Sequence, residues 1–338
     1  MGKNLRYFLL ITIFFILSAC SDGGHADSSK NEDTIISYLE FDYPIEVPDS
    51  IDLFSFIVIS DTQLRLPGNP GDAVYNNEEN LNNLSSLIDL INDEYYQSDF
   101  VVVTGDLVGC LYSDEVSDYN IGEKNPAETF KEMMDKLIIP YYVVLGNHDY
   151  QKNFDDNINE GIMTENISNM EDVWNKVLGI QPYYSIVHKG IRFIFLNSNR
   201  GAERFNTCPF CEKEAFCTGS FDNDQLDWLE MELNEPEPCL LFFHHPVKTD
   251  RRYIYFCLNS YKVAEEDEFY DIAELYKHKI HGIFVGHGHV WAYDTFYDEI
   301  PVFETAATGD RNSNEKRGHI ITVNPYGDKY TLSRMGDE

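Results

Sequence analysis

Seven side chains of types that bind divalent metals stand just past apolar runs of this sequence, in five clusters. These are Asp61 with Gln63, Asp106, Asn147, His244, and His287 with His289; His148 directly follows Asn147. Carboxylate, amide oxygen and imidazole together suit Mn, Fe, Zn or Mg. Gathering such donors from separate segments is how two cations are held about 3.5 to 4 Å apart, provided one carboxylate bridges them. A lone histidine on any one segment is more often an ordinary buried residue. Five clusters that end in the same kind of place are poorly explained that way.

Each cluster follows an apolar run. Phe54 to Ser60 ends in Asp61-Thr62-Gln63, Phe100 to Thr104 in Gly105-Asp106, and Val143 to Leu145 in Gly146-Asn147-His148-Asp149. Leu240 to Phe243 ends in His244-His245-Pro246, and His281 to Val285 in Gly286-His287-Gly288-His289. Runs of this length and composition are buried strands, and in an open α/β sheet ligands sit beyond the carboxyl ends of the strands. Helical patterns lie between them: Glu78 to Tyr95, Glu128 to Leu137 before Pro140, Glu171 to Leu178, Ser220 to Leu233, and Asp267 to His278. The order strand, helix, strand, helix, strand, with the strands apolar on both faces, implies a sheet covered on both sides and right-handed crossovers. Tyr183 to Val187 and Ile191 to Leu196 form a hairpin across His188-Lys189-Gly190, and Gln151 to Asn169 is polar and irregular. Trp291 to Tyr297, Pro301 to Thr305, His319 to Val323 and Lys329 to Ser333 suggest an antiparallel second sheet.

The ordered set Gly105-Asp106, Gly146-Asn147-His148-Asp149, His244-His245-Pro246 and Gly286-His287-Gly288-His289 resembles the motifs of the calcineurin-like metallophosphoesterase superfamily, over about Phe54 to His289. The resemblance implies an α/β fold of two packed mixed β-sheets flanked by helices, a four-layer sandwich. By position it implies Asp61, Gln63, Asp106 and His289 for a first metal. Asp106, Asn147, His244 and His287 would hold a second, with Asp106 bridging and His148 facing substrate. Two cations would lower the pKa of a shared water and neutralise phosphoryl oxygens for in-line attack by the resulting hydroxide. His148 would stabilise the transferring group or protonate the leaving oxygen. The implied activity is hydrolysis of phosphate monoesters, the alternatives being phosphodiesters or a degenerate member that binds a phosphorylated ligand without turnover. Two positions depart from the pattern. Gln63 stands where histidine is usual, which favours Mg²⁺ or Mn²⁺ over softer metals. Gly109 stands where an acid often pairs with the catalytic histidine, so any such carboxylate must come from elsewhere, with Asp149 a candidate.

Lys3 and Arg6, the apolar stretch Phe8 to Ala19, and Leu17-Ser18-Ala19-Cys20 read as a secretory signal over residues 1–19. The apolar stretch is shorter than the roughly 20 residues that span a bilayer. Cys20 after Leu-Ser-Ala resembles the lipobox of bacterial lipoproteins, which implies an acylated cysteine, an exported protein and a membrane anchor without a spanning helix. Residues 20–43 read as a flexible tether and 44–338 as one metallophosphoesterase domain. A formal net charge of -33 disfavours nucleic-acid polymers as partners, leaving a small phosphorylated substrate and no evident obligate protein partner.

Six cysteines follow Cys20: Cys110, Cys208, Cys211, Cys217, Cys239 and Cys257. In an exported chain disulfides are the first expectation, with a metal knuckle at Cys208, Cys211 and Cys217 the alternative; Cys239 reads as a buried thiol. The loop cysteines are expected to stiffen the rim of the site. Arg200 and Arg251, on bordering loops, could clamp phosphate through bidentate hydrogen bonds or could pair with local acids.

Overall fold

A computed structural model describes residues 38–42, 54–65, 77–111, 125–155, 160–163, 166–201, 218–249, 262–264, 267–289, 292–297, 299–309, 319–323 and 329–334. The signal segment, Cys20, Arg251, Cys208, Cys211, Cys217 and Cys257 lie outside these residues.

In the first sheet, β2 (Phe54–Ile59), β3 (Phe100–Thr104) and β4 (Tyr141–Val144) run parallel and adjacent. The last two strands, β13 (His319–Val323) and β14 (Lys329–Arg334), extend it antiparallel from β2, and β1 (Tyr38–Asp42) pairs with β14 at the edge. In the second sheet, β8 (Ile191–Phe195), β9 (Cys239–Phe242), β10 (Ile280–Val285) and β12 (Ile300–Glu304) are parallel neighbours. Antiparallel β7 (Tyr184–His188) and β11 (Ala292–Phe296) form its edges.

The alternation of strand side chains sets the layers. From β2, Phe56 and Val58 join Phe100, Val102, Phe193, Phe242 and Phe284 in an aromatic-rich core cluster. Phe56 meets the rings of Phe193, Phe242 and Phe284 at centroid distances of 5.3, 6.0 and 5.9 Å. On the opposite side, Ile57 and Ile59 pack with Leu84, Ile88 and Ile91 of α1 (Asn77–Glu94), with Phe130 of α2 (Pro126–Met134), and with Trp174 of α3 (Ile167–Leu178). Outside the second sheet, Leu241 and Ile283 pack with Leu226 and Leu229 of α4 (Asn223–Leu233) and with Phe269 of α5 (Phe269–Leu275). The order is helix, sheet, sheet, helix, as the resemblance implied.

Several boundaries differ from the expectations. The four late strands do not form one sheet: β11 and β12 complete the second sheet, whereas β13 and β14 join the first. Their local pairing is antiparallel as expected, but partner choice depends on long-range contact, Ile57 with Ile320 for example. The tether drawn to residue 43 contains a strand, because Tyr38–Asp42 finds an edge on β14. The polar stretch after Gln151 holds a two-stranded ribbon, β5 (Gln151–Asp155) with β6 (Glu160–Met163). Helix α4 starts later than Ser220 because Asp222 is its cap, accepting from the Gln225 amide at 2.9 Å.

Candidate metal centre

All five clusters stand past the carboxyl ends of their strands: β2, β3 and β4 from one sheet, β9 and β10 from the other. Five of the seven ligand candidates turn there with positive φ: Asp61 (51°), Gln63 (43°), Asp106 (52°), His287 (72°) and His289 (56°). Left-handed backbone is costly for residues with a Cβ, and its concentration here marks a functional constraint. Gly105, at φ 97°, supplies one such turn, and a Cβ there would lie 2.5 Å from His244 Nδ1.

The polar atoms converge in two groups, Asp106 with His244 and His287, and Asp61 with Asp106 and His289, and Asp106 is common to both. His244 Nδ1 lies 2.8 Å from the Thr104 carbonyl oxygen, which can only accept, so Nδ1 carries the proton. Nε2 then faces Asn147 Oδ1 at 3.1 Å, His287 Nδ1 at 3.2 Å and Asp106 Oδ1 at 3.3 Å. Lone pairs pointed at one another in a buried space are the arrangement a cation resolves. On the other side, Asp61 Oδ2 accepts from the Ser60 hydroxyl at 2.5 Å and the His287 amide at 3.1 Å. Its buried Oδ1 is left facing His289 Nε2 at 3.2 Å. Gln63 turns its carboxamide to Asp106 Oδ2 at 3.3 Å and His289 Nε2 at 3.2 Å. Nε2 is the atom in contact, and rotation of the amide would present the oxygen. These donors fit two divalent cations.

The electrostatics agree. Burial resists ionisation of Asp106, but His244 and His148 beside it hold its carboxyl well below the usual carboxylate range. Burial likewise resists protonation of His244, yet Asp106 lifts its pKa to about 9. A field that draws a proton this strongly draws a metal ion too.

His148 sits on a 3-10 turn, His148–Tyr150, and stays partly exposed. Its amide donates to Asp106 Oδ1 at 2.9 Å, and Nε2 lies 3.9 Å from Asp106 Oδ2. Nδ1 is 3.1 Å from the carbonyl oxygen of Gly109. The partner that orients this ring is therefore a backbone carbonyl, not Asp149. Asp149 instead accepts from the amides of Val108 (3.0 Å) and Gly146 (2.8 Å), tying two loops together. Burial and the Asp106 charge push its carboxyl up to about 8. His245 is fully buried, with Nδ1 2.8 Å from Ser198 Oγ and its ring 4.6 Å from that of His287, so it packs behind the cluster.

Arg200 is committed elsewhere. Its guanidinium donates to both Glu171 oxygens at 2.7 Å and to Asp222 at 2.5 Å, the ion-pair use and not the phosphate clamp. Cys239 is a buried thiol as expected, raised to about 12 by burial, and Cys110 is buried beside the site. Sequence reasoning missed Ser60, Ser198 and Arg65. Only Arg65 carried a signal, a cation two residues past Gln63.

Two sandwiched sheets thus carry, at their common crest, two groups of metal-ligand side chains that share one carboxylate. The family model for calcineurin-like phosphoesterase matches residues 54–291, spanning Asp61 to His289, and the chain belongs to that family. The chain is 26% identical over 192 residues to a probable glycerophosphodiester phosphodiesterase, GpdQ, from Arcobacter nitrofigilis, covering 56% of each chain; it thus spans about half the length of that relative. Its fold resembles a dimetal phosphatase from Danio rerio with a TM-score of 0.56 at 15% identity, over 80% of this chain and 92% of that one.

Proposed function

We propose that this chain is an exported, lipid-anchored hydrolase of small phosphate monoesters that works with two divalent cations held by Asp61, Gln63, Asp106, Asn147, His244, His287 and His289. The observation that carries this reading is the pair of donor groups sharing Asp106, with the partly exposed His148 beside that carboxylate. Bound there, the cations supply Lewis acidity that activates water and neutralises phosphoryl oxygens. Asp106 joins the two groups, and the Thr104 carbonyl fixes the tautomer of His244. His148 directs its Nδ1 proton to the Gly109 carbonyl, and as the imidazolium it would also carry a proton on Nε2 to donate to a phosphoryl or leaving-group oxygen. The low charge of the amide at Gln63 suits Mn²⁺ or Mg²⁺.

A second reading is a phosphodiesterase. The name of the Arcobacter relative favours it, and so does the commitment of Arg200 to carboxylates, which withholds a cation from the second charge of a monoester. Turnover of p-nitrophenyl phosphate and of its bis ester by Mn²⁺-loaded protein separates the two. A higher kcat/KM for the monoester supports the first reading, and a higher value for the bis ester the second. Asp106→Ala should abolish both activities; persistence of either would show that the site is elsewhere.

The lipid anchor rests on Leu17-Ser18-Ala19-Cys20. Cys20→Ser should move the protein from the membrane to the soluble fraction, and unchanged membrane association would refute acylation.

A further inference from the structure

His148 is held through Gly109, and Gly109 is held by a buried arginine. Arg65 is 1% exposed, although it is among the largest side chains in the protein. It lies across the Cα of Gly109 so closely that a Cβ there would be 2.1 Å from its Nε and 2.7 Å from its Cγ and Cζ. These are inner atoms of an enclosed side chain, not a mobile tip. One of its terminal nitrogens reaches the Gly109 carbonyl at 3.5 Å, the long limit of a hydrogen bond, and that oxygen also receives Nδ1 of His148 at 3.1 Å. The backbone locks the two loops in register: Leu64 donates to Leu107 O at 3.2 Å and Gly109 donates to Leu64 O at 2.9 Å. Three segments, each just past a ligand candidate (Gln63, Asp106, Asn147), therefore meet at one carbonyl oxygen.

We propose that Arg65 and Gly109 form a matched pair that positions His148 for reaction. Arg65 is a positioning residue that fills the space a side chain at 109 would take and fixes the carbonyl that sets the direction of the imidazole. Residue 109 is glycine for space, because its φ lies outside the left-handed region. The arrangement replaces a carboxylate with a carbonyl backed by a cation. It follows that an acid at position 109 can work only when Arg65 is removed. This inference rests on the assignment of His148 as the substrate-facing group of a phosphoesterase.

The test uses the full chain loaded with Mn²⁺ and the better of the two p-nitrophenyl esters, with the corresponding phenyl ester as a poorer leaving group. Arg65→Met keeps apolar bulk and removes the cation. It should retain bound Mn²⁺ and leave KM within about two-fold, while kcat falls about 10- to 100-fold, as misplacement of a reacting group by an ångström does. The loss should be larger for the phenyl ester, whose departure depends more on a placed proton donor. Gly109→Asp alone should be nearly inactive. Combined with Arg65→Ala it should recover at least about ten-fold, since the new carboxylate then has room to accept from His148. A kcat for Arg65→Met equal to wild type, a loss confined to KM or to metal content, or a double variant no better than Gly109→Asp would overturn the proposal. The Asp106→Ala control separates the failures. Activity that survives it refutes the phosphoesterase site, whereas activity lost with Asp106→Ala but intact in Arg65→Met refutes only the role of Arg65.

Discussion

At the scale of single residues, the site depends on side chains that hold ligands as much as on the ligands. Ser60 donates to Asp61 at 2.5 Å, in a position with no exposure to solvent. Removing that hydroxyl leaves Oδ2 of Asp61 to the His287 amide alone, and loss of such a supporting contact typically costs 10- to 100-fold in metal affinity. Ser60→Ala should therefore weaken Mn²⁺ binding by about ten-fold or more in a direct titration, and an unchanged affinity would show that the His287 amide alone orients Asp61. Asp61, Asp106, the paired histidines and Asn147 were readable in the sequence because each follows an apolar run. Ser60 was not, since a serine at the end of a strand has no distinguishing pattern. Asp149 illustrates the opposite error. As a carboxylate beside His148 it looked like its partner, yet its oxygens are taken by two loop amides.

Secondary elements place these residues by packing, and the tightest packing is between the two sheets. Phe56 lies there fully buried among the rings of Phe100, Phe193, Phe242 and Phe284. It bridges β2, which delivers Asp61, and β9 and β10, which deliver the histidines. Phe56→Ala should cost about 3 to 5 kcal/mol in urea unfolding, the usual cost of emptying an aromatic site. It should also lower metal affinity, because the two halves of the cluster come from the two sheets. Unchanged metal binding in a folded but destabilised variant would show that the loops hold their own geometry. The parallel strands were legible from their runs and from the helices between them. The sheet membership of β11 to β14 was not, because a hairpin pattern fixes only its own pairing.

Across the whole molecule, pH acts through buried groups far from the crest as well as those in it. His281 on β10 is buried, and burial with the nearby Lys279 charge holds its pKa down to about 4. The folded chain thus refuses a proton that the unfolded chain accepts near pH 6.5. Stability from this residue is fully present above about pH 6.5 and is lost as pH falls toward 4. Its full size is about 3 kcal/mol. Stability measured for wild type and His281→Gln should converge with falling pH across that window, and parallel curves would show that His281 is not the group responsible. The formal charge of -33 adds a molecule-wide repulsion toward other anions.

The sequence by itself determined which residue types end which strands, and with them the α/β class, the metal-binding character and the family resemblance. These are local properties, carried by short apolar runs and the polar residues that follow them. Tertiary structure decided what each polar atom faces. The meeting of the two sheets points His244 and His287 at Asp106, contact with α3 and the cap of α4 gives Arg200 to Glu171 and Asp222, and the pairing of the loops after β2 and β3 lays Arg65 over Gly109. Those contacts join residues from 22 to 181 positions apart, a distance over which no pattern in a chain specifies direction.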